Sequence, residues 1–428
     1  MKSKDGNIEL MDCKSLRIGL FVELDVGWLA HPFPVGSFKI TSAKQIETIL
    51  GMGLDKVRVN LTKSDAEPVQ SVPEPFVDAV ASERAQAAER SAALRQKHTE
   101  QLASQQRSLL ACERRFGDAV KQYRKVLETL PTQPKAAAEH CHTLVDGFVG
   151  DMLCEGDSAI RLLSEAAGDK SSMHPVNVTV VSLLLGKAMG LSQADLIDLG
   201  MAAFLHDVGK IELPDRVRWS EENFSTAEYK LYQEHVAKSV QLGKSMELSS
   251  GALLAIAQHH EMTDGSGFPT RVKGESMTVG ARILALVNRY DNLCNPSRSA
   301  AAMTPHESLS LIFAQLKTRF DTTALSAFIR MMGVYPPGSV VQLVDERYGM
   351  VVSVNSTRPL KPRIIVHEPG VSKHDALIID LEHAPDIGIR RSLKPIGLPS
   401  AAMDFLAPRQ RVSYFFERVV DSQMGALA

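Results

Sequence analysis

Cysteine is scarce and unpaired in this 428-residue chain. Cys13, Cys112, Cys141, Cys154 and Cys294 contain no CxxC pair and are odd in number. That excludes a fully paired disulfide framework and argues against a structural zinc clip. A reducing compartment suits such usage, so a cytoplasmic location is expected. No apolar run approaches the roughly 18 to 20 residues of a membrane span, and the opening MKSKDGNIELMD has no apolar signal core. Neither charge sign dominates, with 48 Lys plus Arg against 50 Asp plus Glu. A global field for a nucleic-acid polymer or an anionic membrane is therefore excluded, while a local phosphate pocket stays open. What is present is an ordinary globular balance, 44% hydrophobic and 23% charged, with length for two or three domains and no visible repeat.

The text changes character along the chain. From Leu16 to about Leu61 it reads as a small β-rich unit. Thr41 or Ser42 can cap a helix carrying Ile46, Ile49 and Leu50, and Gly51 with Gly53 stops it before the strand-like DKVRV. Lys63 to Pro75 is polar with three prolines, and Val77 to Leu130 is rich in Ala, Gln, Glu, Arg and Lys. Arg95, Thr99 and Ser104 interrupt any heptad seam, which favours a solvated connecting helix or helical hairpin over a dimerising coiled coil. A homodimer remains an alternative. Lys135 to about Met332 is mostly helical, with capping-box starts at Ser192 (Asp195) and Ser225 (Glu228). Beyond Tyr335, the runs GSVVQLV, YGMVVSV, PRIIVHE and ALIIDLE predict three or four short strands. The expected division is a β-rich domain at 1–65, a linker with charged helices at 66–134, a helical core at 135–332 and a C-terminal β subdomain and tail at 333–428.

The chemistry-bearing side chains concentrate in the helical core: His174, His206 with Asp207, His235, and His259 with His260 before Glu261. One helix presents only one or two inward groups per turn, so ligands on successive helices are what a bundle needs to build an interior metal site. Imidazole suits Fe, Mn, Zn or Ni, and a carboxylate such as Asp207 has two oxygens with which to bridge two ions. Two ions roughly 3.5 to 4 Å apart can share a hydroxide and neutralise charge on a phosphate. A lone histidine is most often a packed or surface residue; the adjacent HD and HH pairs argue against that here.

The segments FLHDVGKIELPD (Phe204 to Asp215) and HHEMTDGSGFP (His259 to Pro269) resemble the two signatures of the HD-GYP family, a branch of the HD phosphohydrolases. The second reads HHExxDGxGYP in the family, with Phe268 standing here where Tyr is usual. The resemblance covers roughly Glu155 to Met332. SLRIGLFVELDVGWLAHPF resembles the small domain of unknown function found ahead of HD-GYP in some of these proteins. The implied fold is multi-domain: an all-α HD-GYP core, a small β-rich (α+β) N-terminal domain and a small β C-terminal tail.

The implied activity is metal-dependent hydrolysis of cyclic di-GMP to pGpG or GMP. By position, His174, His206, Asp207, His235, His259 and His260 match ligands of two divalent ions, Fe or Mn, with Asp207 bridging. Lys210 matches a lysine beside the scissile phosphate, where its charge stabilises the oxyanion or helps protonate the leaving oxygen. Its plainer alternative is a helix C-terminal lysine. Asp264, Gly265, Gly267 and Phe268 form the loop on the substrate side, the glycines allowing positive φ and close approach. The family links that loop to GGDEF-domain diguanylate cyclases as partners. A bare tight turn is the alternative.

One departure matters. The family helix carrying ADxFDA aligns with ARILALVNRYDNLC, which puts Asn288 at a metal-ligand position and Asp291 at the second Asp. An amide oxygen is a neutral and weaker ligand. Three outcomes stay open: Asn288 as a weak ligand, Asp291 substituting from one turn away, or a receptor that binds cyclic di-GMP without cutting it. Lys170, where some relatives place a Glu, favours two metals over three. Arg282 and Arg298 are candidates for guanine or phosphate contacts, Arg282 being assigned to the substrate site. Trp28, His31, Pro32 and Phe33 form a local core or a partner surface, and His306 has a local structural role. An HD enzyme acting on another cyclic dinucleotide or a nucleotide monophosphate is the remaining alternative.

Overall fold

The computed structural model describes residues 8–25, 33, 35–66, 75–154, 158–164, 170–218, 224–296, 301–355 and 358–418, and of 75–82, 170, 171 and 418 the backbone only. Trp28, His31, Pro32 and Arg298, named above from the sequence, lie outside these residues, as does the Lys170 side chain. Two compact units divide between Lys97 and His98.

The first unit is a four-stranded antiparallel sheet of β1 (Ile8–Asp12), β2 (Phe21–Glu23), β3 (Ser37–Lys39) and β4 (Lys56–Asn60), in the order β1-β4-β2-β3. Helix α1 (Ala43–Gly51) starts at a Ser42–Gln45 capping box and ends before Gly53, whose φ is 73°. Its Ile46 and Ile49 close a core of Leu20, Val22, Ile40, Val57 and Val59. Phe33 packs on Phe38 with ring centroids 4.5 Å apart.

The charged segment is one helix, α2 (Pro75–Thr129), followed by α3 (Pro134–Leu153) with Pro134 in its first turn. Residues 83–101 of α2 are exposed throughout, which answers to their lack of an apolar stripe. From Cys112 onward Phe116, Ala119, Val120, Tyr123 and Val126 recur at helical spacing and enter the main core.

In that second unit β5 (Ser158–Leu162) leads into α4 (Lys170–Ala188), α5 (Gln193–Leu205), α6 (Thr226–Ser245), α7 (Ser250–Gln258), α8 (Val279–Cys294), α9 (Pro305–Gln315) and α10 (Thr322–Met332). Ser192 and Ser225 cap α5 and α6 through Asp195 and Glu228. Helix α4 is apolar on every side and correspondingly buried from His174 to Leu185. His306 sits in the first turn of α9 and stacks on Tyr335.

The four runs expected as strands after Tyr335 are present as β6 (Val340–Leu343), β7 (Tyr348–Asn355), β8 (Arg363–Val366) and β9 (Ile378–Asp380), and the unexpected β10 (Ile389–Leu393), α11 (Ser400–Leu406) and β11 (Tyr414–Arg418) follow. They differ from a tail in one respect. With β5 they make one seven-stranded antiparallel sheet, β10-β6-β7-β5-β11 with β8 and β9 branching from β7, and its side chains join the helical core. A strand ahead of α4 pairs with the last described strand, Leu162 opposite Tyr414, so the sheet closes the helical bundle. Among the described residues no helix is long and apolar enough to cross a membrane.

Candidate active site

The ligand-type side chains come from helix ends that converge. His174 stands in the first turns of α4, His206 caps the C-terminus of α5 with Asp207 next to it, His235 lies mid-way along α6, and His259 caps α7 with His260 following. Lys210 lies on the 3-10 turn Val208–Glu212, which presses against α6 so closely that a Cβ on Gly209 would meet His235 O and Ser239 N at 2.4 Å.

The imidazoles are oriented from behind. His206, His235 and His259 each direct Nδ1 at the carbonyl three residues back, Ala203 at 2.7 Å, Tyr232 at 2.5 Å and Ile256 at 2.6 Å. Carbonyls at the ends of α5 and α7 are free for this because they have no intrahelical donor. His174 Nδ1 instead faces Asp291 Oδ2 at 2.5 Å. A carbonyl or carboxylate only accepts, so each Nδ1 carries the proton and each Nε2 presents a lone pair.

Those lone pairs meet around Asp207. Oδ2 is 3.6 Å from His174 Nε2 and 3.4 Å from His206 Nε2. Oδ1 is 3.5 Å from His235 Nε2 and 3.8 Å from His259 Nε2. His174 and His206 bring their Nε2 atoms to 3.2 Å, and His235 and His259 to 3.3 Å. Two acceptors at such distances repel unless a cation joins them, and N···N separations of this size are those of two imidazoles sharing one ion at about 2.1 Å each. Two further atoms, Asp207 Oδ1 and His260 Nε2, are buried with no hydrogen-bond partner. The donor set thus fits metal, as two overlapping groups: His174, His206 and Asp207; and Asp207, His235, His259 and His260.

Charge follows the same logic. Burial alone would raise the Asp207 carboxyl, but the Lys210 ammonium, 2.5 Å from Oδ2, and then His206 hold it well below the usual range. Burial likewise opposes the Lys210 charge, and Asp207 overcomes it and raises the lysine. Burial pushes His235 down to about 4, against the pull of Asp207, and also holds His259 and His260 well below the usual imidazole range. His235, His259 and His260 are therefore neutral and ready to ligate near pH 7.

The loop after α7 is held by Glu261, whose Oε1 accepts from Thr270 N, Thr270 Oγ1 and Arg271 N at 2.7, 2.8 and 3.0 Å. Asp264 Oδ1 accepts from Ser266 N, and Gly265 takes φ 78°. Gly267 lies so near the backbone of residues 260–262 that a Cβ would meet Met262 N at 2.4 Å. The turn thereby delivers the Phe268 ring onto His260, stacked with centroids 4.5 Å apart.

A sequence profile for the HD domain matches residues 159–324, the span that contains every one of these groups. The HD-domain match is a property of that span. A second profile, described as a domain of unknown function (DUF3391), matches residues 9–141 ahead of it. The chain is 24% identical over 364 residues to cyclic di-GMP phosphodiesterase PA4108 of Pseudomonas aeruginosa, covering 84% of each. It is 32% identical over 153 residues to the cyclic di-GMP phosphodiesterase response regulator RpfG of Xanthomonas campestris pv. campestris, 35% of this chain and 40% of that one. It is 26% identical over 179 residues to 3'3'-cGAMP-specific phosphodiesterase 3 of Vibrio cholerae, 42% of this chain and 39% of that one. A solved HDG"Y"P protein from Bdellovibrio bacteriovorus is 14% identical, with a TM-score of 0.43 over 75% of this chain and 98% of that one.

Beside the ligand cluster the HD domain has a cavity of about 450 Å³ lined by His174, Lys210, His260, Gly267, Phe268 and Asn288, among others. Asn288 is 3% exposed, and its Oδ1 accepts from Asn292 Nδ2 at 2.7 Å. Three sequence expectations take a different form. Asp291 stands behind His174, with Oδ2 facing its Nδ1; its second oxygen accepts from Asn177 and from Asn295 at 2.9 Å, and both of those amides also hold the carbonyl of Val412. Arg282 is turned away from the cavity, donating to Gly274 O at 2.6 Å and Asp321 at 3.3 Å. Asp264 and Gly265 shape the loop without lining the cavity. The arginines that do line it are Arg289 and Arg319, which the sequence left unmarked. Crowding by the wall and then the Arg319 charge lower the pKa of Arg289.

Proposed function

We propose that this HD domain hydrolyses cyclic di-GMP, leaving pGpG or GMP, with two divalent ions, Fe or Mn, held by the two groups that share Asp207. The observation that carries the reading is the split of that carboxylate, Oδ2 toward His174 and His206 and Oδ1 toward His235 and His259. The names of the relatives and the match to both HD-GYP signatures support the substrate. The ions, when bound, would supply positive charge to the phosphate and a water acidic enough to attack it near neutral pH.

The chain's own groups do the rest. The carbonyls behind His206, His235 and His259 keep those lone pairs pointed inward, and Asp291 does so for His174. Lys210, buried and protonated beside Asp207, stabilises charge on the phosphoryl oxygens or delivers a proton to the leaving oxygen. The Phe268 and Tyr229 rings in the cavity wall offer flat apolar surface to a purine. The same loop is the surface for a GGDEF-domain cyclase, if one binds.

Asn288 motivates a second reading, a receptor that binds the dinucleotide without turnover. The deciding experiment is the metal content of anaerobically purified protein, with cyclic di-GMP turnover in added Fe(II) or Mn(II), for wild type and Asn288→Asp. Turnover by the wild type with about two metals per chain is the expected result. Binding without turnover, rescued only in Asn288→Asp, would replace the enzyme by the receptor.

A further inference from the structure

Among the described residues, two guanidiniums in the cavity wall form no ion pair. Arg289, on α8 next to Asn288, and Arg319, at the end of the 3-10 turn Lys317–Arg319 ahead of α10, border the space that His174, Lys210 and His260 also border. Both are exposed at its rim. Among the described residues no acceptor takes a hydrogen bond from either guanidinium. Other arginines of this unit are neutralised: Arg161 by Glu417, Arg282 by Asp321, Arg347 by Asp345 and Arg363 by Asp380. Asp264 feels the Arg319 charge, yet its Oδ1 is already engaged by Ser266 N.

The backbone fixes both positions. Arg289 is flanked by Asn288 and Tyr290, 3% and 1% exposed, so its place on α8 is set by core packing. Arg319 N donates to Leu316 O at 2.9 Å, and its carbonyl accepts from Thr263 N at 2.9 Å, which ties the turn to the loop that follows His259 and His260. Like charges on one cavity wall favour an anion between them. A guanidinium fork matches two oxygens of one phosphate, and two forks match a phosphate with both its free oxygens exposed.

A cyclic dinucleotide carries its two phosphates on opposite sides of one ring. When one is at the histidine cluster, the other lies away from it. We propose that Arg289 and Arg319 form a second anion subsite that takes the uncut phosphate, so that the cavity selects ligands with two phosphodiesters over ligands with one. This rests on the cyclic-dinucleotide reading above and adds the part of the ligand that reads it.

The test uses the full metal-loaded chain. KM and kcat for cyclic di-GMP are measured beside the inhibition constant of cyclic GMP, a single-phosphate probe, in wild type, Arg289→Ala, Arg319→Ala and Arg319→Lys. Each alanine variant is expected to raise KM at least about tenfold with a much smaller change in kcat, and to weaken cyclic GMP by less than about threefold. Arg319→Lys recovers part of the loss. An unchanged KM overturns the subsite, as does equal weakening of both ligands. If the wild type cleaves 3'3'-cyclic GMP-AMP or cyclic di-AMP instead, with the same dependence on the arginines, the substrate assignment falls and the subsite holds. If no cyclic dinucleotide binds more tightly than cyclic GMP, the subsite falls.

Discussion

Asp291→Asn isolates the role of one buried carboxylate. Asp291 is 3% exposed, and its two oxygens accept from His174 Nδ1 at 2.5 Å, from Asn295 Nδ2 at 2.9 Å and from Asn177 Nδ2. Asparagine keeps the volume but has one accepting end. If that end stays toward His174, the new amide hydrogens face the amides of Asn177 and Asn295, and buried donors are left without acceptors. If it turns the other way, His174 can bond only by moving its proton to Nε2, which removes a lone pair from the site. Losing such a partner behind a metal-ligating histidine costs roughly 10- to 100-fold in metal affinity, or about 1.4–2.7 kcal/mol. The unpaired amide costs about 1–3 kcal/mol of stability in addition. Chelator competition on the purified variant reads the affinity, and thermal unfolding of metal-free protein reads the stability. Wild-type metal affinity in a folded Asp291→Asn protein would refute the orienting role. Loss of a full equivalent of metal, with the remaining site unweakened, would make Asp291 a direct ligand.

Two other outcomes are expected. Gly267→Ala forces a methyl into the backbone of residues 260–262, where its contacts would be 2.4–2.5 Å. The loop must move and carry Phe268 off His260, so turnover drops and stability falls by about 1–3 kcal/mol, read by activity and thermal melts; a fully active, equally stable variant would contradict the close approach. In metal-free protein His235 has a pKa of about 4, whereas in the unfolded chain it is about 6.5. The unfolded chain takes up the proton first, so stability is full above about 6.5 and is lost as the pH falls toward 4, on the order of 3 kcal/mol from this residue. Burial lowers His259 and His260 in the same direction. Urea unfolding of chelated protein at pH 7.5 and pH 5 tests this, and equal stability at the two values would count against it.

The sequence made legible whatever is local. Ser192 and Ser225 mark helix starts because a cap and its partner lie three residues apart, and the HD and HH pairs stand out because adjacent ligand-type residues are rare. The parts that escaped depend on distant pairing. SAIRL at 158–162 is too short to declare itself, and it is a strand because β11 and β7 flank it. Asp291 and Asn288 lie one turn apart on α8, and only the positions of His174, Asn177 and Asn295 decide which way the carboxylate faces. Arg282, Arg289 and Arg319 are indistinguishable as text. The first is spent on Asp321 and Gly274, and the other two become a pair through a turn 30 residues away in sequence.

The join between β11 and the bundle makes the catalytic unit discontinuous. Val412 N donates to Asn295 Oδ1 at 2.9 Å, and Tyr414 N to Asn177 Oδ1 at 2.8 Å across 237 positions. These two amides are the ones that grip Asp291. A fragment cut at the end of α10 would keep every histidine of the cluster and yet lose the brace behind His174. Anything that lifts the last strand from the sheet, whether a protease or a bound protein, reaches the site through two side-chain amides, which makes the far end of the chain a handle on its chemistry.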